Sequence, residues 1–419
     1  MHPSTGDGGE SRTVHQWLGQ LAPEYLARFG AAMPGRHRQV LRKILSCRTP
    51  ALGGELFACP QGCALPRGAS RQAPGVQATP AFHYRYHSCN DRHCPQCGQT
   101  DADAWLQRQK ARLLLPVPYF LVTFTVPQEL RLFLRAHQHI GLDLLFAASA
   151  QALQDLAANP RRLGAQLGML GVLHTWSRTL IYHPHIHYLI PAGGLSFDGR
   201  RWVPARKNYL LNHEALGDHL RTLFKERLLK EHPELFAPVP ATVWKRHWNV
   251  GCQAAGSGEN ALRYLSRYVF KTATSNRPVP LLPDGRVQWN YRESKTGQDR
   301  SIPLEPLEWM SRFLQHILPR GFARVRTFGW LHPAAKVRGN RVRALLRTQP
   351  VLSAKEQTAW QQGGALSPDA AREEPAPPPA QSTLGAGPAC PLCPVCQRAL
   401  VRVGSWHAGQ PPLRPKRPP

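Results

Sequence analysis

Two short stretches of this 419-residue chain carry residue types whose spacing suits phosphate chemistry. The first is His183-Pro184-His185-Ile186-His187. Successive side chains of a β-strand point to opposite faces, so His185 and His187 project together while Ile186 meets an apolar layer. Two imidazoles on one face can meet one divalent ion. His183 joins that face if the strand extends so far; Pro184 suits a turn equally, which leaves His183 as a ligand or as a support for one. The second stretch is Tyr264-Leu265-Ser266-Arg267-Tyr268, in which two phenols four residues apart share a helical face. Such a pair commonly packs in a core, but Arg263, Arg267 and Lys271 beside it add cations able to contact a nucleic-acid backbone. Taken together, an ion at His185 and His187 could polarise the oxygens of a phosphodiester while a tyrosine attacks phosphorus. That step yields a phosphotyrosine and a free 3′ hydroxyl, and two tyrosines permit two successive transesterifications on bound DNA.

Strands and helices around one core must hold these groups. Residues 119–126 are β-rich and bracketed by Pro118 and Pro127, whereas 128–158 carry apolar residues at helical spacing. Strands are expected at 169–176 and 185–190, joined by a turn near Tyr182-His183-Pro184. A helix capped by Asn212 runs to Lys230, with Leu216, Leu220, Phe224 and Leu228 near one face. Residues 242–250 read as a strand and 262–270 as a helix. This pattern predicts an α+β fold, a central antiparallel sheet covered by helices. A third metal ligand is not singled out: Glu259 and Asn260 lie just before the tyrosines, where capping roles suit them, and His174 lies on the neighbouring strand.

The cysteines cluster, which favours metal binding over a distributed disulfide framework. Cys59-Pro-Gln-Gly-Cys63 and Cys94-Pro-Gln-Cys97 supply two close pairs, and together they predict a tetrahedral structural Zn2+ site. Cys47, Cys89 and His93 remain nearby for a second zinc site or a different partition of the seven groups. The folded unit would present Arg36, Arg38, Arg42, Lys43, Arg48 and Arg92 to phosphates. Near the C-terminus Cys390, Cys393 and Cys396, with His407 as a distant fourth ligand, make either a zinc knuckle or a metal-free tail. A Pro/Ala-rich stretch before them reads as a linker.

The formal charge of +27 makes a polyanion the expected partner, and 42% hydrophobic residues exclude a wholly disordered basic chain. Neither an export signal nor an uncharged apolar span of about 18 residues is visible, so an intracellular protein without a membrane partner is expected. Nucleic acid is then the more economical polyanion. The steepest basic block, 320–347, holds Arg320, Arg324, Arg326, Lys336, Arg338, Arg341, Arg343 and Arg347 without an acid. Phe322, Phe328 and Trp330 within it could stack on unpaired bases or lie buried.

In their order these motifs resemble the IS91-type rolling-circle transposases, the HUH two-tyrosine family with an N-terminal zinc-binding domain. The resemblance covers roughly 35–345. It rests on Cys47-Arg-Thr-Pro-Ala-Leu-Gly-Gly54, Ser88-Cys-Asn-Asp-Arg-His-Cys-Pro-Gln-Cys97, the two stretches above with Ser275-Asn-Arg277, and the run from Phe313 to Phe322 leading to Phe328-Gly-Trp-Leu331. Glu55 stands where relatives often have His, and Cys59-x3-Cys63 where two intervening residues are usual, which leaves zinc stoichiometry open.

The resemblance implies an HUH nuclease-like sheet and a transesterase acting on single-stranded DNA at transposon ends. It also implies Mg2+ or Mn2+ at His185 and His187, with Tyr264 and Tyr268 as nucleophiles. Arg263, Arg267, Lys271, Arg324, Arg326, Arg338, Arg341 and Arg343 are the expected DNA contacts. The expected division is a helical and zinc-binding DNA-recognition domain (1–115), a catalytic domain (116–300), a basic helical DNA-binding extension (301–347), a linker (348–389), and a zinc knuckle with a basic tail (390–419), the last two forming a disordered tail. The expected setting is the bacterial cytoplasm, at the nucleoid. A plasmid rolling-circle replication initiator and a noncatalytic zinc-dependent DNA-binding regulator remain as alternatives.

Overall fold

The computed structural model describes residues 11–61, 63, 82–113, 115–269, 273–293, 296–348, 391–393 and 395–413, with residues 98–104, 111, 267 and 268 described by their backbone alone. The N-terminal part holds β1 (Ser11–Thr13), α1 (Val14–Phe29), α2 (Gly35–Ser46), β2 (Gly53–Ala58), β3 (Phe82–Tyr86) and α3 (Gly98–Leu113). Next come β4 (Tyr119–Thr125), α4 (Arg131–Ala136), α5 (Gln138–Ala158), β5 (Gly168–Trp176), β6 (Tyr182–Pro191), β7 (Gly193–Leu195) and β8 (Trp202–Pro204). They are followed by α6 (His213–Glu231), α7 (Pro233–Phe236), α8 (Thr242–Lys245), β9 (Val250–Ala254) and α9 (Glu259–Val269). The remainder holds β10 (Pro278–Pro280), β11 (Val287–Arg292), β12 (Asp299–Leu304), α10 (Pro306–Leu314), β13 (Val325–Gly329), α11 (Lys336–Thr348) and β14 (Val401–His407).

The expected α+β architecture is the one found. Its centre is a five-stranded antiparallel sheet in the order β13-β5-β6-β4-β9. Side-chain alternation gives this sheet two different faces. Phe120, Val122, Phe124, Leu173, Ile186 and Tyr188 point into one apolar core with Leu145 and Phe146 of α5 and Leu220 and Phe224 of α6. Leu121, Leu170, Val172 and Leu189 point the other way, against Leu106 of α3, Leu262 and Leu265 of α9, and Leu345 of α11. At about 25 cal/mol per Å2 of apolar surface removed from water, burial in both layers favours the fold.

Local sequence explains several element ends. Asn212 caps α6, its side chain accepting from the Ala215 backbone N at 2.8 Å. Thr13 caps α1 in a reciprocal box with Gln16. The chain from β9 to α9 turns at Gly258, whose φ of 76° and close approach to the Tyr119 ring exclude a side chain.

Several expectations are corrected. The expected turn at 182–184 is part of β6; the reversal lies at Ser177–Ile181, where the Ser177 N donates to the Ile181 carbonyl at 2.9 Å. The ladder shifts register between His174 and Trp176, which accommodates Pro184, a residue without an N–H. The expected strand at 242–250 is instead the short helix α8 followed by β9, because Trp248 is fully buried against Phe224 and donates its indole N–H to the Val243 carbonyl at 3.2 Å.

The expected boundary at 300 falls inside the β11–β12 hairpin, and β13 completes the central sheet, so 301–347 is no separate extension. Nor is the N-terminal part separate, since Trp17 of α1 packs on Trp309 of α10 in a core that also contains α2 and β11. The expected linker lies outside the described residues except Thr348, as do Cys390 and the basic residues from Arg414 to Arg417. Residues 401–407, expected in a disordered tail, form β14 and pair with β2 in a sheet of order β14-β2-β3. Trp406 of β14 lies over Gly54, where a Cβ would come within 2.7 Å of its ring. No described helix is long and apolar enough to cross a membrane.

Candidate active site and metal centres

Three neighbouring strands present their polar positions on the face covered by α9. In the ladder, His174 of β5 stands opposite His185 of β6, and Thr123 and Thr125 of β4 stand opposite His187 and His185. His174, His185 and His187 each offer a nitrogen, all within 4.8 Å of one another. Their rings lie 4.4 to 5.1 Å apart, centroid to centroid.

The partners of the imidazoles aim them. His185 Nδ1 donates to the His183 carbonyl at 2.7 Å, which leaves Nε2 as its lone-pair nitrogen. His187 Nδ1 lies 2.8 Å from Thr123 Oγ1, while its Nε2 is buried with no hydrogen-bond partner. Burial lowers the pKa of His185 to about 4 and that of His187 well below 6.5, so both rings are neutral donors near pH 7. The Arg131 charge adds to burial in lowering both His183 and His185. A buried nitrogen aimed into a cluster of three imidazoles fits a divalent ion, and because none of the three donors is anionic, such an ion keeps its charge for a phosphate.

Tyr264 of α9 faces this cluster. Its ring is 5.8 Å from that of His187 and 6.4 Å from that of His174. The helix is held by Leu262 and Leu265 in the core and by Lys110 of α3, which pairs with Glu259 in the first turn. Glu259 is thereby committed to Lys110 and Arg263. His174 is the residue that the fold brings to His185 and His187. Tyr268 lies one turn further along α9, and its side chain, like that of Arg267, is outside the described residues.

The cysteines partition differently from the expected sets. Cys59 and Cys63 do not join Cys94 and Cys97; instead Cys47, Cys89, Cys94 and Cys97 form one cluster, and Cys59 and Cys63 meet Cys393 and Cys396 in another. In the first, Cys47 Sγ and Cys89 Sγ lie 3.4 and 3.7 Å from Cys97 Sγ, close to the roughly 3.8 Å edge of a zinc–thiolate tetrahedron. The end of α2 delivers Cys47 to the loop bearing the other three.

His93 is not a ligand. Its Nδ1 lies 2.9 Å from Asp91 Oδ1 and its Nε2 accepts from the Leu318 backbone N at 3.1 Å, so it ties the cysteine loop to the segment after α10. Asp91 also faces Arg36 and Lys43, and Arg92 donates to the Pro319 and Phe322 carbonyls, so these three expected phosphate contacts have structural partners. His407 belongs to neither cluster; it sits in β14 opposite Gly53.

The basic block also divides. Arg324 is buried, with its guanidinium 5.7 Å from the Trp176 ring and its pKa lowered to about 9 by burial. Arg326 pairs with Asp143 and stacks over Phe146. Phe322 and Trp330 are core residues and Phe328 packs against the core, so of the two alternatives, base stacking and burial, the fold takes burial. On α11, Arg338 and Arg341 are exposed, and Arg343 is half-buried with a bond to the Arg112 carbonyl. Arg263 is exposed, and Lys271 lies outside the described residues. Thr123 and Arg131 were missed by sequence reasoning; the signal for Thr123 was the polar alternation of Thr123 and Thr125 in an otherwise apolar strand.

Residues 168–339 match a family model described as "Putative transposase", and residues 17–126 match one described as "Transposase zinc-binding domain". The "Putative transposase y4qJ" of Sinorhizobium fredii is 33% identical over 350 residues, which cover 78% of this chain and 82% of that protein. The "Transposase for insertion sequence element IS801" of Pseudomonas savastanoi pv. phaseolicola is 28% identical over 310 residues, 70% of each chain. No solved structure matches the chain. The zinc-binding match contains Cys47, Cys89, Cys94 and Cys97 whole, and with this cluster it supports structural Zn2+.

Proposed function

This chain belongs to the IS91-type transposases, DNA-cleaving enzymes by family, and on that premise we propose that it cuts and rejoins single-stranded DNA at transposon ends through Tyr264. The observation carrying this reading is the Tyr264 ring 5.8 Å from His187, on the helix that covers three converging imidazoles. The Tyr264 oxygen attacks the scissile phosphorus and loses its proton; the P–O3′ bond breaks, and the 3′ oxygen leaves as a hydroxyl. The strand stays attached as a 5′-phosphotyrosine, so the energy of the broken bond is kept for rejoining. A Mg2+ or Mn2+ ion held by His174, His185 and His187 supplies Lewis-acid polarisation of the phosphate oxygens when bound. Thr123 and the His183 carbonyl hold the rings in position, and α9, packed on α3, sets the approach of the nucleophile.

Tyr268, four residues on in the same helix, is the second nucleophile in this reading, giving the two successive transfers of a rolling-circle route. Arg263 and the exposed Arg338 and Arg341 take phosphates along the strand. The site of action is the bacterial nucleoid. The test is a single-stranded oligonucleotide carrying an end of the element, incubated with protein and Mn2+ and resolved under denaturing conditions. A covalent adduct is expected, lost in the Tyr264→Phe/Tyr268→Phe double variant and in His185→Ala/His187→Ala, with DNA binding retained in both. An adduct that survives the double tyrosine substitution refutes the reading.

A further inference from the structure

We propose that Cys59, Cys63, Cys393 and Cys396 hold a second structural Zn2+, which clasps the C-terminal strand β14 onto the N-terminal sheet. The four sulfurs lie within 4.8 Å of one another, although Cys59 and Cys396 are 337 residues apart. Their Sγ atoms are 3.6 Å apart, again near the roughly 3.8 Å edge of a zinc–thiolate tetrahedron, and all four cysteines are free thiols.

The backbone on both sides has the form of a metal-binding turn. The Gln61 and Cys63 N–H groups donate to Cys59 Sγ. On the other side the Gln397 N donates to the Cys393 carbonyl at 2.8 Å, the Cys393 N donates to the Arg398 carbonyl at 2.7 Å, and Leu392 bridges to Ala399. Gln397 adopts a left-handed φ of 59°, which tightens this turn and brings Cys393 and Cys396 to one side. Two turns, each offering two sulfurs, thus face one point.

Apolar packing there is slight. Among the described residues the buried cluster contains Phe57, Cys59, Cys393 and Leu400, with Cys63 and Cys396 against it. So small a core needs a crosslink, and a metal supplies one. Binding takes the thiols as thiolates, releasing their protons to solvent. At the opposite end of β14, Trp406 over Gly54 anchors the strand by packing. The ion therefore fixes the end at which packing is weakest.

The test is zinc content of the full chain by elemental analysis, expected at two ions per chain. Cys393→Ser/Cys396→Ser is expected to carry one, as is Cys59→Ser/Cys63→Ser. Combining all four substitutions should still leave one, because both pairs serve the same ion. One ion in the unsubstituted chain, or additive loss from the two pairs, overturns the proposal. Should the N-terminal pair variant misfold, a protease site inserted within 349–390 gives an independent measurement. After cleavage, the C-terminal fragment should stay bound in the unsubstituted chain and separate faster by at least tenfold in Cys393→Ser/Cys396→Ser. Equal separation rates overturn the proposal.

Discussion

Thr123→Val separates positioning of the metal from chemistry at the tyrosine. In the proposed site His187 holds the ion through Nε2, so Nδ1 must carry the proton and donate to Thr123 Oγ1, 2.8 Å away. Valine keeps the β-branched shape and removes only the acceptor. In the metal-free protein the imidazole can respond by moving its proton to Nε2; with a metal on Nε2 it cannot. The buried, unsatisfied N–H then costs the metal-bound state about 1–3 kcal/mol. The expected result is a rise of about 10- to 100-fold in the Mn2+ concentration giving half-maximal oligonucleotide cleavage, equivalent to about 1.4 to 2.7 kcal/mol. Cleavage at saturating Mn2+ should change little, since Thr123 acts only through His187. Refutation is equally concrete: a saturated rate that collapses while the half-saturating concentration stays fixed would mean that Thr123 does not act through the ion.

His93→Ala should lower stability by on the order of 2–3 kcal/mol in denaturant unfolding, because it strips Asp91 and the Leu318 N–H of buried partners. Zinc content should stay unchanged, and its loss would restore His93 as a ligand. Arg338→Ala with Arg341→Ala should make log K against log salt shallower by about 0.7 per lost phosphate contact on single-stranded DNA. An unchanged slope would remove α11 from the DNA interface.

What sequence could and could not reveal follows from the range of each interaction. His185 and His187 were legible because a strand repeats every two residues, a purely local rule. His174 was visible only as one of three candidates, since its place depends on the register that sets it opposite His185 across two strands. The cysteine pairs were likewise local, whereas their grouping required knowing that α2 ends beside the 89–97 loop and that β14 returns to β2. Residues 242–250 are rich in β-branched and aromatic residues like a strand, yet Trp248 packs into the core beneath α6 and holds Val243 in a helical turn. In the block 320–347, charge alone could not separate Arg324, inside the protein, from Arg338 and Arg341, outside it.

The pairing of β14 with β2 orders events during synthesis. His407 pairs with Gly53, and Val401 with Ala58, so the free edge of β2 is covered only after more than three hundred further residues have been made. At roughly 5–20 residues per second, that interval lasts on the order of twenty to seventy seconds. Through it the nascent chain bears an unpaired strand edge and an empty groove over Gly54 that awaits the Trp406 ring. An unpaired edge is a template for other strands, so ribosome-bound chains are the stage at which this protein is most exposed to mispairing with its neighbours.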